Sequence, residues 1–304
     1  MKAIDLFAGL GGFSTGATAA GADVVWAANH WPQAVEWHSK NHPGTAHVCQ
    51  DLHQANWQQV PAHDLLLASP CCQGHSKARG KGNNNPQHDA SRSTAWAVIS
   101  ALEFHQPYGA ISENVPEFLQ WQLYAPWLLA VKALGYSVAP HIVDAADLGA
   151  PQNRVRMFLV LSKSKAPLTL DLPKIPHESA ASFIDFNAGN WSQINRPNRA
   201  AATLERIKNG RKQFGDRFLF SYYGNTKTGR SLNRPIGTIT TRDRWAIVDG
   251  DKMRMLTRHE CRAAMSFPQS YQLPDNHRLA IHLLGNAVCP SPVKTIINAY
   301  KVAA

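Results

Sequence analysis

The sequence predicts an α/β protein: a doubly wound, mostly parallel sheet with a second, smaller domain. Three observations lead there. Strand-like and helix-like stretches alternate through the first half, and the alternation stops after residue 161. The charge also changes sign along the chain. Residues 1–150 hold 7 Lys and Arg against 11 Asp and Glu, a net of −4, whereas residues 151–304 hold 24 against 10, a net of +14. Strands separated by helices of ten or more residues pair in parallel, because a parallel crossover needs that length of chain.

Taken in order, KAIDLF (2–7), ADVVWAAN (22–29), HDLLLAS (63–69), YGAISENV (108–115) and YSVAPHIVDA (136–145) read as strands, with helical stretches at 13–20, 32–41, 91–105 and 116–134. Residues 162 to about 250 are rich in Pro, Asn, Arg and Gly with little periodicity, so short strands and loops are expected there. Helical patterns return at 257–266 and 290–303. The opening MKAIDLFAGLGG lacks an apolar leader with a cleavage site, and no window approaches the ~18 apolar residues of a membrane span. A cytoplasmic protein without membrane contact is expected. Five cysteines, odd in number and without Cys-x-x-Cys spacing, argue against disulfides and structural zinc, and no metal site is expected. Residues 196–258 alone hold 15 Lys and Arg against 5 acids, interleaved with Phe214, Phe218, Phe220, Tyr222, Tyr223 and Trp245. That is the footprint of a polyphosphate partner, the alternative being a solvated basic surface.

In such sheets ligands bind where strands end at their carboxyl edge, so residues just after each strand come first. After the first strand, Gly9, Gly11 and Gly12 let the backbone turn tightly before a helix. Turns of this kind serve dinucleotides, S-adenosylmethionine or no ligand. The G-x-G-x-x-G pattern is absent, and Asn29 stands where a dinucleotide site would place an acid. Asp51 suits a turn cap or an adenine amino group. The third strand runs into SPCCQGHS, with Cys71 and Cys72 adjacent, and then into KARGKGNNNPQHDASRST, a long run of Gly, Asn and cations of the sort that serves function. Glu113 in ISENVPEF is either a helix cap or a catalytic carboxylate at the same edge. Arg154 and Arg156 are spaced i, i+2 to share a strand face, where they suit a phosphate or a carbonyl oxygen.

Together these stretches resemble the cytosine-5 DNA methyltransferases. DLFAGLGGFS, SPCCQGHS, SENV, QNRVRMF, RPIGTITTRDR, RMLTRHECRAAMSFPQSY and LLGNAV occur in the family's order over nearly the whole chain. The resemblance implies a class I methyltransferase (Rossmann-like) catalytic domain of residues 1–161 plus about 283–304, and a small target-recognition domain of about 162–282. It implies S-adenosylmethionine as methyl donor, S-adenosylhomocysteine as product, and duplex DNA as partner of a monomer that is cytoplasmic and associated with the nucleoid. It makes Cys72, which keeps the family's Cys-Gln-x-x-Ser register through Gln73 and Ser76, the nucleophile toward carbon 6 of a flipped cytosine. Glu113 would hold ring nitrogen 3, Arg156 the base carbonyl, and Arg154 would support it. Phe7, Gly9, Gly11, Gly12, Asp51, Thr94 and Asn286 would line the cofactor pocket. Asn29 departs from the family's acidic ribose ligand, and the doubled cysteine departs from its Pro-Cys-Gln. An RNA methyltransferase of the same family, or a relative that binds nucleic acid without catalysis, remains open at this point.

Overall fold

The computed structural model describes residues 1–71, 93–222 and 226–304, and the chain divides into two compact units. The first comprises Met1–Asp144, Val155–Lys174 and Ala287–Ala304, and the second Ala145–Arg154 and Ile175–Asn286. Relative to the borders expected from the sequence, residues 162–174 belong to the first unit, whereas residues 145–154 and 283–286 belong to the second.

The first unit is built on a seven-stranded sheet with strands β1 (Lys2–Leu6), β2 (Asp23–Asn29), β3 (Ala46–Cys49), β4 (Leu65–Ala68), β5 (Gly109–Asn114), β6 (Ser137–Asp144) and β7 (Val155–Ser162). Their spatial order is β3-β2-β1-β4-β5-β7-β6. All pairings from β3 to β5 are parallel, and β7 runs antiparallel to both of its neighbours. β4 (LLLA) reads as an unbroken apolar run because both its faces are covered, and every residue of β5 is buried as well, including Ser112, Glu113 and Asn114 at its far end. Helices α1 (Gly12–Ala19), α2 (Pro32–Asn41), α3 (Ala95–His105), α4 (Tyr124–Ala133) and α8 (Pro290–Ala303) belong to this unit. Part of the 116–134 stretch read as one helix is a 3-10 turn at Pro116–Gln120 that gives way to α4. The chain steps outward from β1 to β3 and returns on the other side of β1 as β4, so the order reverses between β1 and β4. That reversal opens the crevice where ligands of doubly wound sheets sit.

Helix α8 returns to pack on α1. A Cβ built on Gly16 would lie 2.5 Å from the Val293 Cβ and 2.6 Å from the Pro290 carbonyl oxygen. Only glycine permits that approach.

The second unit holds the antiparallel sheet β8-β11-β10-β9, from β8 (Ser192–Gln193), β9 (Arg217–Ser221), β10 (Trp245–Asp249) and β11 (Lys252–Met255). It also holds α5 (Ala201–Phe214), α6 (Arg258–Ala264) and α7 (His277–Asn286). Its core gathers Ile194, Ile207, Phe218, Phe220, Ala246, Val248 and Met253. Two expectations are corrected here. The irregular stretch contains a 14-residue helix, α5, and Phe218 and Phe220, counted among the aromatics interleaved with the cations, are fully buried core residues and no part of a basic surface.

Candidate active site

Two loop roots at the β1–β4 reversal build the site. After β1, the chain turns through Phe7 (φ 61), Gly9 (φ 55) and Gly11 (φ 93), all left-handed, and the Gly11 N–H donates to the Ala8 carbonyl at 2.8 Å. Gly9 and Gly11 answer the backbone angle, whereas Gly12 answers space. A Cβ at Gly12 would stand 1.9 Å from the Val288 carbonyl oxygen. Gly11 precedes α1 without a side-chain cap, so the helix begins with backbone N–H groups facing the turn. The root of β4 is tied alongside, the Ser69 hydroxyl donating to the Phe7 carbonyl at 3.2 Å.

Pro70 and Cys71, the last described residues before Cys72, are fastened twice. Asn114 donates its side-chain N–H to the Pro70 carbonyl at 3.1 Å, and the Cys71 N–H donates to the Thr94 hydroxyl at 3.0 Å. Cys72 itself, the expected nucleophile, lies outside the described residues, as does the stretch to residue 92. Thr94, expected at the cofactor, thus serves at least the cysteine root. Asn114 lies inside SENV beside Glu113, and no motif spacing in the sequence marks it as the group that fastens Pro70.

Glu113, buried at the end of β5, and Arg156 on β7 come together. The Arg156 Nε lies 3.1 Å from Glu113 Oε1, with side chains 17% and 9% exposed. The pair is held from two strands that are hydrogen-bonded neighbours in register, so its separation is fixed by the sheet and not by loop conformation. A cation donor and an acid side by side, both slightly accessible, can address adjacent polar atoms of one planar ring. Arg154 has different partners. It precedes β7, is 4% exposed, and donates within the second unit to the Ile239 carbonyl at 2.9 Å and the Gly285 carbonyl at 3.0 Å. Gln152, also missed in the sequence although it begins QNRVR, works beside it. Its oxygen accepts from the Ile239 N–H at 2.6 Å and its amide donates to the Ala264 carbonyl at 3.2 Å. The two side chains bind the 236–240 segment to α6 and α7.

The remaining cofactor candidates lie at strand ends. Asn29 closes β2 but is buried, and its side-chain oxygen accepts from the Trp31 N–H at 3.0 Å, which fixes the entry to α2. His30, the next residue, is exposed. Asp51 is exposed, and one oxygen accepts from the His53 N–H at 3.0 Å, so it does cap the following turn. Asn286 is exposed at the end of α7 in the second unit. Among the described residues no cluster of three or more His, Cys, Asp or Glu could hold a metal, and no helix is long and apolar enough to cross a membrane. Burial pushes the Cys261 thiol well above its usual range, with Asp243 and Glu260 adding to it, so that thiol is inert.

Known proteins resemble this chain in sequence and in fold. The family described as C-5 cytosine-specific DNA methylase matches residues 1–301. The type II methylase M.HgiEI of Herpetosiphon aurantiacus is 34% identical over 232 residues, 74% of this chain and 50% of that protein. The chain therefore spans about half the length of that relative. The type II methyltransferase M.NlaX of Neisseria lactamica is 26% identical over 322 residues, 99% of this chain and 96% of its own length. A solved DNMT2 variant from Spodoptera frugiperda superposes with a TM-score of 0.70 at 17% identity, covering 98% of both chains, which is a likeness of fold.

Proposed function

This chain belongs to the C-5 cytosine-specific DNA methylases, and from that premise we propose that it methylates carbon 5 of cytosine within a short duplex DNA sequence, with Cys72 as nucleophile. The observation that carries the reading is the Glu113–Arg156 pair, 3.1 Å apart at the sheet edge, on the same strand ends as the fastened Pro70–Cys71 root.

Carbon 5 of cytosine is a weak nucleophile, and the Cys72 thiolate activates it by adding to carbon 6. Electron density moved into the ring by that addition would collect at nitrogen 3. Glu113 holds a proton at that nitrogen, and Arg156, already oriented by Glu113, donates to the neighbouring carbonyl oxygen. Arg154 acts at one remove by bracing Ile239 and Gly285. When carbon 5 has been methylated it loses its proton, and Cys72 departs as carbon 6 regains its double bond. The base has to leave the duplex for Cys72 to reach it.

The donor set of the β1 turn fits S-adenosylmethionine. Left-handed Phe7, Gly9 and Gly11 bare the backbone, α1 begins at Gly12 without a side-chain cap from Gly11, and the exposed Asp51 keeps a carboxylate oxygen for an adenine amino group. S-adenosylmethionine, when bound, supplies an electrophilic sulfonium methyl. Asn29, with its oxygen already engaged by Trp31, is poorly disposed to replace an acidic ribose ligand, which leaves the exposed His30 as the neighbouring polar side chain for that role. The second unit, carrying most of the +14 of residues 151–304, reads as the part that meets DNA phosphates, and a monomer acting in the cytoplasm fits this work.

Transfer of tritiated methyl from S-adenosylmethionine to duplex DNA, with RNA alongside, tests the reading. Label is expected in DNA, and transfer confined to RNA would overturn the substrate. Cys72→Ser is expected to abolish transfer, and Glu113→Gln to slow it by ~10²–10⁴-fold, the usual worth of a positioned acid. Full activity in Cys72→Ser would overturn the mechanism.

A further inference from the structure

Beneath the β1 turn lies a chain of polar side chains that the proposed chemistry does not use. Asp5, in the middle of β1, is fully buried, and Ser14 on α1 donates both its N–H (3.1 Å) and its hydroxyl (2.7 Å) to Asp5 Oδ2. The His38 Nε2 on α2 lies 3.0 Å from the Ser14 hydroxyl, and its Nδ1 lies 2.7 Å from the Nε2 of His47 on β3. His38 is buried, whereas His47 is only partly covered and ends the series toward solvent.

Donor arithmetic fixes the protons. With Asp5 ionised, the Ser14 hydroxyl donates to it and must accept from the His38 Nε2–H. His38 Nδ1 then accepts from the His47 Nε2–H. Every donor points inward. Adding one proton at the outer nitrogen of His47 reverses the series. His47 then carries Nδ1–H and gives its Nε2 proton to His38 Nδ1, with a backbone hydrogen bond from its ring to Thr45 favouring the uptake of a proton. His38 gives its Nε2 proton to Ser14, and Ser14 gives its own to Asp5. One proton enters from water, one arrives on the carboxyl, and both rings exchange tautomers while remaining neutral.

We propose that Asp5, Ser14, His38 and His47 form a proton relay that sets, from solvent pH, the charge on the carboxyl beneath the Phe7–Gly12 turn. Since Asp5 holds the third residue of α1 through the Ser14 N–H, that charge governs how firmly the start of α1, and with it the turn, is held. The surroundings suit such a relay. β2 and β4 bring Ala27 and Leu67 level with Asp5, and α8 meets α1 through Pro290 and Val293. The titratable groups in reach are His38, at 4.0 Å, and beyond it His42 and His47. His42 Nε2 lies 3.3 Å from the Thr15 hydroxyl, and burial with the nearby His47 holds its ring down to about 4. Burial likewise keeps His38 neutral, helped by His42 and His47. With no cation paired to it among the described residues, Asp5 is pushed by burial up to about 7, against the pull of its Ser14 bonds.

NMR of the whole chain, labelled with ¹³C at aspartate carboxyls and ¹⁵N in histidine rings, tests the relay. Across a titration through about pH 7, the Asp5 carboxyl, assigned with Asp5→Asn, is expected to protonate while His38 and His47 pass together from Nε2–H to Nδ1–H at one midpoint. Rings that keep their tautomer, or that become doubly protonated at that midpoint, would overturn the proposal. Ser14→Ala is expected to uncouple the rings from Asp5, and Asp5→Asn, with no titrating proton, to hold both rings Nε2–H throughout. Coupling to the turn rests on the cofactor reading above and has its own readout. Affinity for S-adenosylhomocysteine is expected to fall about fivefold below the midpoint, the factor between a charged and a neutral hydrogen bond, and to stay flat in Asp5→Asn. A flat affinity in the natural chain overturns the coupling. Absence of binding at every pH would instead overturn the cofactor reading and leave the NMR result standing.

Discussion

Each unit buries a carboxylate, and the two do so in opposite ways. In the second unit Glu260 is 3% exposed and meets Arg254 in a two-pronged pair, 2.8 and 2.7 Å, with further donors from the Thr257 and Asp185 N–H groups. In the first unit Asp5 is fully buried with hydroxyl, amide and neutral imidazole around it, and its Oδ1 has no hydrogen-bond partner among the described residues. A carboxylate matched by a fixed cation is a structural rivet. One matched by neutral groups alone is poised to change charge near neutral pH.

The sharpest way to break the contrast is to remove the matched acid. Glu260→Ala strands Arg254 in the core and deprives Thr257 and Asp185 of their acceptor, and is expected to destabilise the second unit by about 3–5 kcal/mol, read as a lower urea midpoint.

The unmatched acid is tested by pH. For Asp5 the folded value, about 7, lies above the unfolded 3.8. Between those limits the native state therefore holds a proton that the unfolded chain has lost, and stability from this group grows as pH falls. His42 works the other way. Its folded value, about 4, lies below 6.5, so the unfolded chain takes up protons first and stability is lost as pH drops from 6.5 toward 4. His38 and His47, also lowered, add to that loss. Asp5→Asn keeps the histidine loss and forfeits the offsetting gain. Going from pH 8 to pH 5, it is expected to lose about 3 kcal/mol more stability than the natural chain, because each tenfold change in proton concentration across that window is worth ~1.4 kcal/mol per proton held. Parallel urea curves at the two pH values check this.

The smallest expected effect concerns the root of the cysteine loop. Asn114→Ala removes the bond to the Pro70 carbonyl and should cost about 1 kcal/mol in stability, with a larger proportional effect on kcat than on KM because the root of the proposed nucleophile is loosened. Equal kcat in the two proteins would show that this fastening does not place the nucleophile.

What the sequence made legible follows from where the information lies. The β1 turn, the Pro70–Cys71 root and the Glu113 strand end are each contiguous, and contiguous signals survive being read in one dimension. Helix α5 was not legible because its inward face is sparse. Its buried residues are Thr203, Ile207 and Gly210, and the last is small because a Cβ there would lie 2.3 Å from the Phe218 ring. Phe218 and Phe220 were counted with the cations of residues 196–258 because composition does not say which face of β9 points inward. The relay was out of reach for another reason: its four members come from β1, α1, α2 and β3, and only the packing brings them into line. Asn29 ends β2, as read, but its amide had a backbone partner two residues on that no spacing rule disclosed.

The close seating of α8 on α1 bears on how the protein is made. The face of α1 around Gly12 and Gly16 is completed by residues 288–293, which leave the ribosome more than 270 residues after it. At ~5–20 residues per second that is a wait of roughly 14–55 s, far longer than helix formation or collapse takes. Throughout it the helix that follows the Phe7–Gly12 turn stands against a nearly finished sheet with its tightest surface uncovered until α8 arrives.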